Sequence, residues 1–281
     1  MPWPSGQSPC APSPAEEAVI VSRLRAAGCV FAENETRLLS CAAATPAELD
    51  VMVDRRAAGL PIEQVVGWAE FCGLRIAVGP GVFVPRRRSE FLVQQAAACA
   101  RAALAGRPAG GPRAVIVDLC CGSGAVGAAL AAALGPVELH AVDVDPAEVA
   151  CARRNISAEH GQVYEGDLYA PLPAALRGRV DVLVANPPYV PTEAVGMLPA
   201  EARVHEPLVA LDGGPDGLDV LRRVSAEAPQ WLAPGSCLLA ETSERQAPAA
   251  AEAFACSGLT PQLASSPELG ATVVIGTRRG Q

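Results

Sequence analysis

Apolar segments of strand length alternate with helical segments from about residue 114 to residue 277 of the chain. The strand-like segments read AVIVDL, VELHAV, QVYEGD, VDVLVA, SCLLAET and ATVVIGT, and helical stretches at 124–134, 146–156, 217–232 and 244–257 separate most of them. Strands that alternate with helices form βαβ units, in which helices cover a mostly parallel sheet. The pattern predicts a doubly wound α/β domain, which we assign to residues 86–281.

The first part of the chain has a different pattern. Residues 1–14 are rich in Pro and Ser, which is typical of a disordered leader. Over residues 15–66 the spacing of Ala, Leu and Val, with a helix start at TPAE, predicts a small domain of three or four short helices. Residues 67–85 alternate around several glycines and predict a β-hairpin linker, and residues 89–104 then predict a helix.

Composition excludes several classes of chemistry. All 22 cationic side chains are Arg and none is Lys, which excludes Schiff-base catalysis, a pyridoxal phosphate lysine and the P-loop lysine. The ten cysteines form no CxxC pair and the three histidines are scattered, so we predict no metal site and expect free thiols in a reducing compartment.

The net charge and the hydropathy of the chain restrict the classes of partner that we expect it to bind. The net charge of -8 provides no basic field, so no direct nucleic-acid binding is expected. No apolar stretch approaches the length of a membrane-spanning helix, and the N-terminus lacks the features of a signal peptide. We therefore expect a cytoplasmic protein with no membrane partner.

The segment AVIVDLCCGSGAVGAAL predicts a strand, a tight turn and a helix start. Gly122 and Gly124 let the backbone pass close to a ligand, and Asp143 ends the next strand at a distance suited to binding a ribose hydroxyl. With Gly127 the glycines also satisfy the dinucleotide pattern GxGxxG, so the loop alone fits either NAD or S-adenosylmethionine. Two plainer interpretations are that the glycines serve only packing and that Asp143 caps the helix starting at Pro146.

Asp118, four residues before Gly122, favours S-adenosylmethionine. A carboxylate at the end of the first strand suits a cationic sulfonium ligand with an amino group better than a pyrophosphate, which it would repel. Cys120 and Cys121 lie inside the loop, where small residues are needed next to a ligand. Since no CxxC motif accompanies them, we predict no nucleophilic or redox role for either thiol.

The tetrad Asn186-Pro187-Pro188-Tyr189 follows the strand VDVLVA directly. In an open parallel sheet the carboxyl ends of strands face the ligand crevice, so we expect the tetrad at an active site. The Asn186 side-chain oxygen and the Pro187 carbonyl could accept both N–H groups of a planar amide or amine, and Tyr189 could stack on it. The alternative, that Asn-Pro-Pro is only a turn, is less favoured after an apolar strand and a DxxxGxG loop.

From about Leu60 to Thr277 the sequence resembles the HemK/PrmC family of protein N5-glutamine methyltransferases. Three segments carry the resemblance: LPIEQVVGWAEFCGLRIAVGPGVFVPR, VDLCCGSGAVGAALA and ANPPYVPTEAVGMLPAEARVHEPLVALDGGPDGLDVLRR. The last is the most specific, because NPPY alone is shared with adenine-N6 methyltransferases, whereas its continuation is not. The resemblance implies a Rossmann-like methyltransferase sheet of seven strands, preceded by a small helical domain and a hairpin.

The resemblance also implies an activity and its residues. Family members methylate the glutamine of the GGQ motif in peptide chain release factors, with S-adenosyl-L-methionine as methyl donor and the helical domain helping to recognise the protein. The implied cofactor contacts are Cys120, Cys121, Gly122, Ser123, Gly124, Asp143, Asp167, Leu168 and Asn186, and the charge argument above adds Asp118 to this set. The substrate amide would be held by Asn186, Pro187, Pro188 and Tyr189, of which Asn186, Pro187 and Tyr189 are the predicted catalytic residues.

Two departures distinguish this chain from the family pattern. Where the family reads Pro-Arg-Pro-Glu-Thr-Glu, residues 85–90 read PRRRSE, so that Arg87 and Arg88 replace a proline and an acid. This run either contacts the substrate or is a solvated start of the following helix. The C-terminal Gly-Arg-Asp-Arg of the family is missing from SSPELGATVVIG.

Two other functions remain open at this point. An adenine-N6 methyltransferase would use the same tetrad to hold the amine of a flipped base. A non-catalytic adaptor would keep the fold and bind a partner through the helical domain.

Overall fold

The computed structural model describes residues 12–105 and 111–280. Residues 1–11 of the predicted disordered leader lie outside these ranges, as do residues 106–110 of the glycine- and proline-rich break. The last residues of the predicted leader already belong to a helix start. Ser13 caps the first helix, because its hydroxyl accepts from the backbone N–H of Glu16 and the Glu16 carboxylate accepts from Ser13 in return.

Within residues 12–66 the structure has four α-helices, in agreement with the predicted three or four. They are α1 (Pro14–Ala26), α2 (Ala32–Ala42), α3 (Pro46–Ala57) and α4 (Ile62–Val66). Thr45 caps α3 at the predicted start, accepting from the N–H of Glu48. The helices enclose their own apolar cluster, which includes Leu24, Leu39 and Val53. A division into separate domains at residues 66 and 85 stays a prediction.

The predicted hairpin consists of β1 (Trp68–Phe71) and β2 (Leu74–Ala77), which pair in antiparallel register. The chain then passes through a single 3₁₀ turn at 87–89 into α5 (Glu90–Ala105). The hairpin and the segment after it therefore connect the small helical cluster to the large sheet.

A seven-stranded sheet forms the body of the protein and confirms the predicted fold class. Its spatial order is β5-β4-β3-β6-β7-β9-β8, and its pairs are parallel except those made by β9. The strands are β3 (Ala114–Leu119), β4 (Val137–Asp143), β5 (Gly161–Glu165), β6 (Val180–Ala185), β7 (Leu232–Thr242), β8 (Leu259–Ser266) and β9 (Ala271–Arg278). Every residue of β3 and β6 is buried, as expected for central strands covered on both faces.

Helices cover both faces of this sheet. The remaining helices are α6 (Ala125–Leu134), α7 (Pro146–Asn155), α8 (Ala200–His205), α9 (Asp219–Trp231) and α10 (Ala247–Cys256). Helices α5, α6 and α7 share one apolar cluster, and α9 and α10 share another. The strand order reverses between β3 and β6, and ligands bind at such a switch point outside the carboxyl ends of the strands.

Strand β8 was not located from the sequence. Its segment, LTPQLASS, contains a proline and is only partly buried, so it lacks the apolar run of the other strands. An edge position explains both properties, because one side of an edge strand needs no hydrogen-bonding partner.

None of the described helices is both long and apolar enough to cross a membrane.

Candidate active site

A cavity of about 600 Å³ opens at the carboxyl ends of β3, β4 and β6. This volume is typical of a pocket for a small molecule. Most of the residues predicted from the sequence line it: Cys120, Cys121, Gly122, Ser123, Asp143, Asp167, Leu168, Asn186, Pro187, Pro188 and Tyr189. The fold therefore brings the glycine loop and the NPPY tetrad to one site, although they are more than 60 residues apart in the chain.

The glycine loop adopts backbone conformations that side chains rarely allow. Gly122 and Gly124 have φ values of 54° and 77°, and Cys120 shares this left-handed region with a φ of 54°. A Cβ at Gly124 would meet Ala152 and Ile156 at 3.2 Å or less, so this glycine allows α7 to pack against the loop. Gly124 does not line the cavity, and its cofactor contact stays a prediction.

The two loop cysteines are held in their neutral form. Burial raises the pKa of Cys120 and Cys121, and the nearby carboxylates of Asp118 and Asp143 raise it further. A protonated thiol is a weak nucleophile. The absence of a nucleophilic role for these thiols stays a prediction.

Asp118 lies behind the glycine loop. The residue is 1% exposed and does not line the cavity, and its carboxylate accepts a hydrogen bond of 2.8 Å from the N–H of Gly127 at the start of α6. Burial raises the pKa of this carboxyl to about 7. The observed contact of Asp118 is structural, and its predicted contact with the cofactor stays a prediction.

Asp143 lies at the end of β4 and faces the cavity. Its two carboxylate oxygens accept from the N–H groups of Gly122 at 2.8 Å and Asp145 at 3.0 Å. The cap of α7 is Asp145, whose side chain accepts from Ala147, so the interpretation of Asp143 as the helix cap is wrong. The fixed carboxylate can accept a hydroxyl hydrogen bond from a ligand.

Asp167 and Leu168 form a second wall of the cavity after β5. Leu168 is buried and has a φ of 49°, a strained conformation for a residue with a side chain. Asp167 pairs with Arg223 of α9 at 2.5 Å. Leu168 thus presents an apolar side chain to the ligand space, and an exposed ion pair links the same loop to α9.

Asn186 is the first residue after β6 and has an unused acceptor. Its Oδ1 is buried and has no hydrogen-bond partner among the residues described. Buried polar atoms are nearly always paired in folded proteins, and the exceptions call for an explanation. A ligand N–H that enters the cavity would supply the missing donor.

The segment that follows the tetrad holds its backbone in place. The Gly213 N–H donates to the Val190 carbonyl at 2.8 Å, and Gln246 Nε2 donates to the carbonyl of Tyr189 at 2.9 Å. A Cβ at Gly213 would lie 2.5 Å from the Pro188 carbonyl oxygen, so only glycine allows this approach. The family-like DGGPDG sequence at 212–217 thus supports the tetrad by direct packing.

Tyr189 belongs to a charged network that the sequence did not predict. Arg88 donates to the Tyr189 hydroxyl and, at 3.0 Å, to Glu241, while the Tyr189 hydroxyl donates to Glu241 at 3.2 Å. Burial and the Glu241 carboxylate raise the pKa of Tyr189, which keeps its hydroxyl protonated. The tetrad pointed to Tyr189 and the PRRRSE departure pointed to Arg88, whereas nothing in the sequence singled out Glu241.

Two further acids lie on the cavity wall. Glu206 is buried and pairs with Arg86, and it also accepts from the N–H of Val84. Glu148, in the first turn of α7, accepts from the N–H of Phe83 at 2.6 Å. Glu206 could have been found from the sequence, because it lies in the family-like HEP segment. Nothing in the sequence singles out Glu148.

The small helical cluster contacts the rim of the cavity. The Arg56 side chain is 7% exposed and binds Glu35 and Glu201, both at 2.6 Å. Gln64 donates to the carbonyls of Val82 at 2.9 Å and of His205 at 3.3 Å. Because Glu201 also lines the cavity, the helices and the active-site rim form one connected structure.

Histidine, cysteine and acidic side chains do not gather into a metal-binding cluster within residues 12–105 and 111–280. The polar groups of the cavity include backbone amides, carboxylates, thiols, hydroxyls, the Asn186 amide oxygen and three arginines that are paired with acids.

Comparison with known proteins places this architecture in a family. The family model described as "Methyltransferase small domain" matches residues 98–214. A solved methyltransferase structure from Pyrococcus furiosus has a similar fold, with a TM-score of 0.51 at 18% identity over 74% of this chain and 90% of that one.

Curated relatives are more similar in sequence. A release factor glutamine methyltransferase of Geobacter sulfurreducens is 36% identical over 82% of this chain and 77% of its own length. Another, from Mycolicibacterium smegmatis, is 39% identical over 75% of this chain and 72% of its own length. At this identity and coverage, the chain belongs to the release factor glutamine methyltransferase family.

Proposed function

We propose that this protein transfers a methyl group from S-adenosyl-L-methionine to the side-chain amide nitrogen of a glutamine in a peptide chain release factor. The unpartnered Oδ1 of Asn186 is the observation that carries the proposal, because an amide N–H is the donor that this buried acceptor lacks. Family membership supports the same reaction. The proposed partner is a translation factor, which places the reaction in the cytoplasm.

The cavity fits the proposed cofactor. Asp143 presents a fixed carboxylate for the ribose hydroxyls, Leu168 presents an apolar wall, and the loop from Cys120 to Ser123 offers close backbone approach. The cofactor supplies a methyl group that is activated by its bond to a positively charged sulfur. The site therefore needs to position the acceptor nitrogen more than to activate it.

The acceptor amide is held by the tetrad. Asn186 Oδ1 and the Pro187 carbonyl accept the two N–H groups of the amide, and the ring of Tyr189 packs against its plane. These acceptors favour positive charge developing on the nitrogen as the new carbon–nitrogen bond forms and the carbon–sulfur bond breaks. The nitrogen then releases one proton to solvent.

Recognition of the protein substrate is assigned to residues 15–66. The ion pairs of Arg56 and the hydrogen bonds of Gln64 fix these helices against the cavity rim, so a protein bound to them lies beside the tetrad.

The test is methylation of a purified release factor from the same organism. The enzyme is incubated with labelled S-adenosylmethionine and the release factor, beside a variant whose GGQ glutamine is alanine, and the label is mapped by mass spectrometry. We expect label on that glutamine, absent from the variant and lost with Asn186→Ala enzyme.

Two outcomes would overturn parts of the proposal. Cofactor binding without label on the release factor would remove the proposed substrate. Label on DNA or RNA adenine instead would assign the tetrad to the adenine-N6 reaction.

A further inference from the structure

Glu148 is a buried acid on the cavity wall with an unused oxygen. The residue is 1% exposed, and its Oε1 accepts from the N–H of Phe83 at 2.6 Å. Its Oε2 is buried and has no hydrogen-bond partner in the part of the chain that the structure describes. One half of the carboxylate therefore has a structural contact and the other half does not.

Among the described residues that line the cavity, no unpaired arginine is left to serve as a counter-ion for Glu148. The three arginines that line the same cavity each pair with another acid: Arg86 with Glu206, Arg88 with Glu241 and Arg223 with Asp167. The charged and titratable groups facing Glu148 from β4, the start of α7 and the rim are Asp143, Asp145 and Glu206, with the thiols of Cys121 and Cys151 nearby. Burial, followed by repulsion from these acids, raises the pKa of Glu148 to about 8.

The unpaired oxygen lies beside the glycine loop. A Cβ built on Gly122 would lie 3.6 Å from Glu148 Oε2, with no other heavy atom within 4 Å apart from its chain neighbours. The backbone of Gly122 also binds Asp143, so two carboxylates flank the same glycine. Asp143 is the proposed ribose contact, which leaves Glu148 for another group of the cofactor.

The chemistry of the cofactor decides which group fits. A buried carboxyl group without a counter-ion keeps its proton until positive charge binds beside it, and the ionised oxygen then needs an N–H or O–H donor. The sulfonium carries charge but no donor, and a ribose hydroxyl is a donor without charge. The α-ammonium group supplies both.

We propose that Glu148 Oε2 binds the α-ammonium group of S-adenosylmethionine and anchors the amino-acid end of the cofactor beside Gly122. The inference rests on the proposed function, since it assumes this cofactor. It assigns to Glu148 the charge-pairing role that the sequence suggested for Asp118, whose carboxylate lies away from the cavity.

The first test compares three ligands by titration calorimetry with wild type and Glu148→Gln. Glutamine keeps an oxygen for the Phe83 N–H, so the fold should be retained, and thermal unfolding checks this. We expect S-adenosylmethionine and S-adenosylhomocysteine, which both carry the ammonium, to bind at least about tenfold more weakly to the variant. Binding of 5′-methylthioadenosine, which has the ribose but no ammonium, should be unchanged.

The second test measures the number of protons that the protein releases when it binds the cofactor. Pairing requires the ionised carboxylate, so wild type should release close to one proton per cofactor bound at pH 7 and bind roughly tenfold more tightly at pH 7 than at pH 6. Titrations in buffers of different ionisation enthalpy report the release. Glu148→Gln should release none and show a flat profile. Glu63→Gln is the matched control, because Glu63 is another cavity glutamate whose pKa is raised by burial.

Each alternative has its own result. Weaker binding of all three ligands to Glu148→Gln would place the contact at the sugar, and weaker binding of S-adenosylmethionine alone would place it at the sulfonium. Unchanged binding and proton release would make Glu148 purely structural. If wild type binds none of the ligands, the proposed cofactor itself falls, whereas failure to methylate a release factor leaves the Glu148 result intact.

Discussion

Arg88 lies over the ring of Tyr189, with its guanidinium carbon 5.5 Å from the ring centroid, and donates a hydrogen bond to the tyrosine hydroxyl. Glu241, which is 2% exposed, receives hydrogen bonds from both residues. The neighbouring Arg87 is exposed. Arg88 is exposed as well, but unlike a purely solvated side chain it binds a tetrad residue and a buried acid.

Replacing Arg88 should lower the catalytic efficiency of the enzyme with its acceptor peptide. Arg88→Ala removes the hydrogen bond and the cation–π contact that orient Tyr189, which together contribute about 1–2 kcal/mol. We expect kcat/KM for the acceptor peptide to fall about 5- to 30-fold, while the dissociation constant of the cofactor is unchanged. Steady-state kinetics and calorimetry measure the two quantities.

Arg87→Ala is the matched control, since it removes the same charge from the adjacent exposed position. Wild-type kinetics are expected for it. Equal losses in both variants would show that net charge matters and that the contact with Tyr189 does not. Arg88→Lys should recover only part of the loss, because an ammonium cannot hold Tyr189 and Glu241 in the planar guanidinium geometry.

Loss of the Asn186 acceptor should slow the methyl-transfer step. Asn186→Ala removes the buried oxygen proposed to bind the amide N–H, and one such positioned group is worth about 10²- to 10³-fold in kcat. Asn186→Asp keeps an acceptor oxygen and should lose less. Single-turnover rates at saturating cofactor measure the effect, and a rate for Asn186→Ala within twofold of wild type would contradict the proposed role.

Gly213 should tolerate no side chain. A Cβ there would lie 2.5 Å from the Pro188 carbonyl oxygen and 2.6 Å from the Gly217 carbonyl oxygen, both of which are backbone atoms. Gly213→Ala should therefore lower the free energy of unfolding by about 1–3 kcal/mol and reduce methyl transfer by displacing the tetrad. Denaturant unfolding and activity assays measure both.

The control for Gly213 is Gly196→Ala, also close to the site in sequence but with no atom within 4 Å of the added Cβ. This variant should unfold like wild type. If Gly213→Ala also behaves like wild type, the loop at 212–217 does not support the tetrad as inferred.

The titration of Asp118 should make the free energy of unfolding depend on pH. Its pKa is raised by burial to about 7 in the folded protein, against an ordinary value of about 4 in the unfolded chain. Between these pH values the folded state holds a proton that the unfolded state has lost, so stability falls as the pH rises. Asp118→Asn removes this titration and keeps an acceptor for the Gly127 N–H.

The free energy of unfolding of Asp118→Asn minus that of wild type should therefore increase by up to about 1.4 kcal/mol per pH unit between pH 4 and 7. Above pH 7 this difference should stay constant. Urea unfolding at several pH values measures the difference. Asp50→Asn, at an exposed position on α3, should follow the wild-type curve. A constant difference between Asp118→Asn and wild type would show that Asp118 is ionised in the folded protein at every pH tested.

Much of the fold could be predicted because its signals are local. The buried strands β3 and β6 are short apolar runs, and the helices between strands begin and end near the predicted residues. Strand β8 could not be found, because an edge strand that is half exposed has no apolar run, and its pairing with β9 is decided by the tertiary structure.

The sequence by itself determined the strand–helix alternation, the glycine loop and the NPPY tetrad, because each depends on residues adjacent in the chain. Only the tertiary structure decided that Asp118 lies behind the loop, that Glu148 faces Gly122 and that Arg88 holds Tyr189. Arg88 and Glu241 are 153 residues apart, and Phe83 and Glu148 are 65 apart. Burial and the lack of a counter-ion are properties of such distant contacts, so no local pattern encodes them.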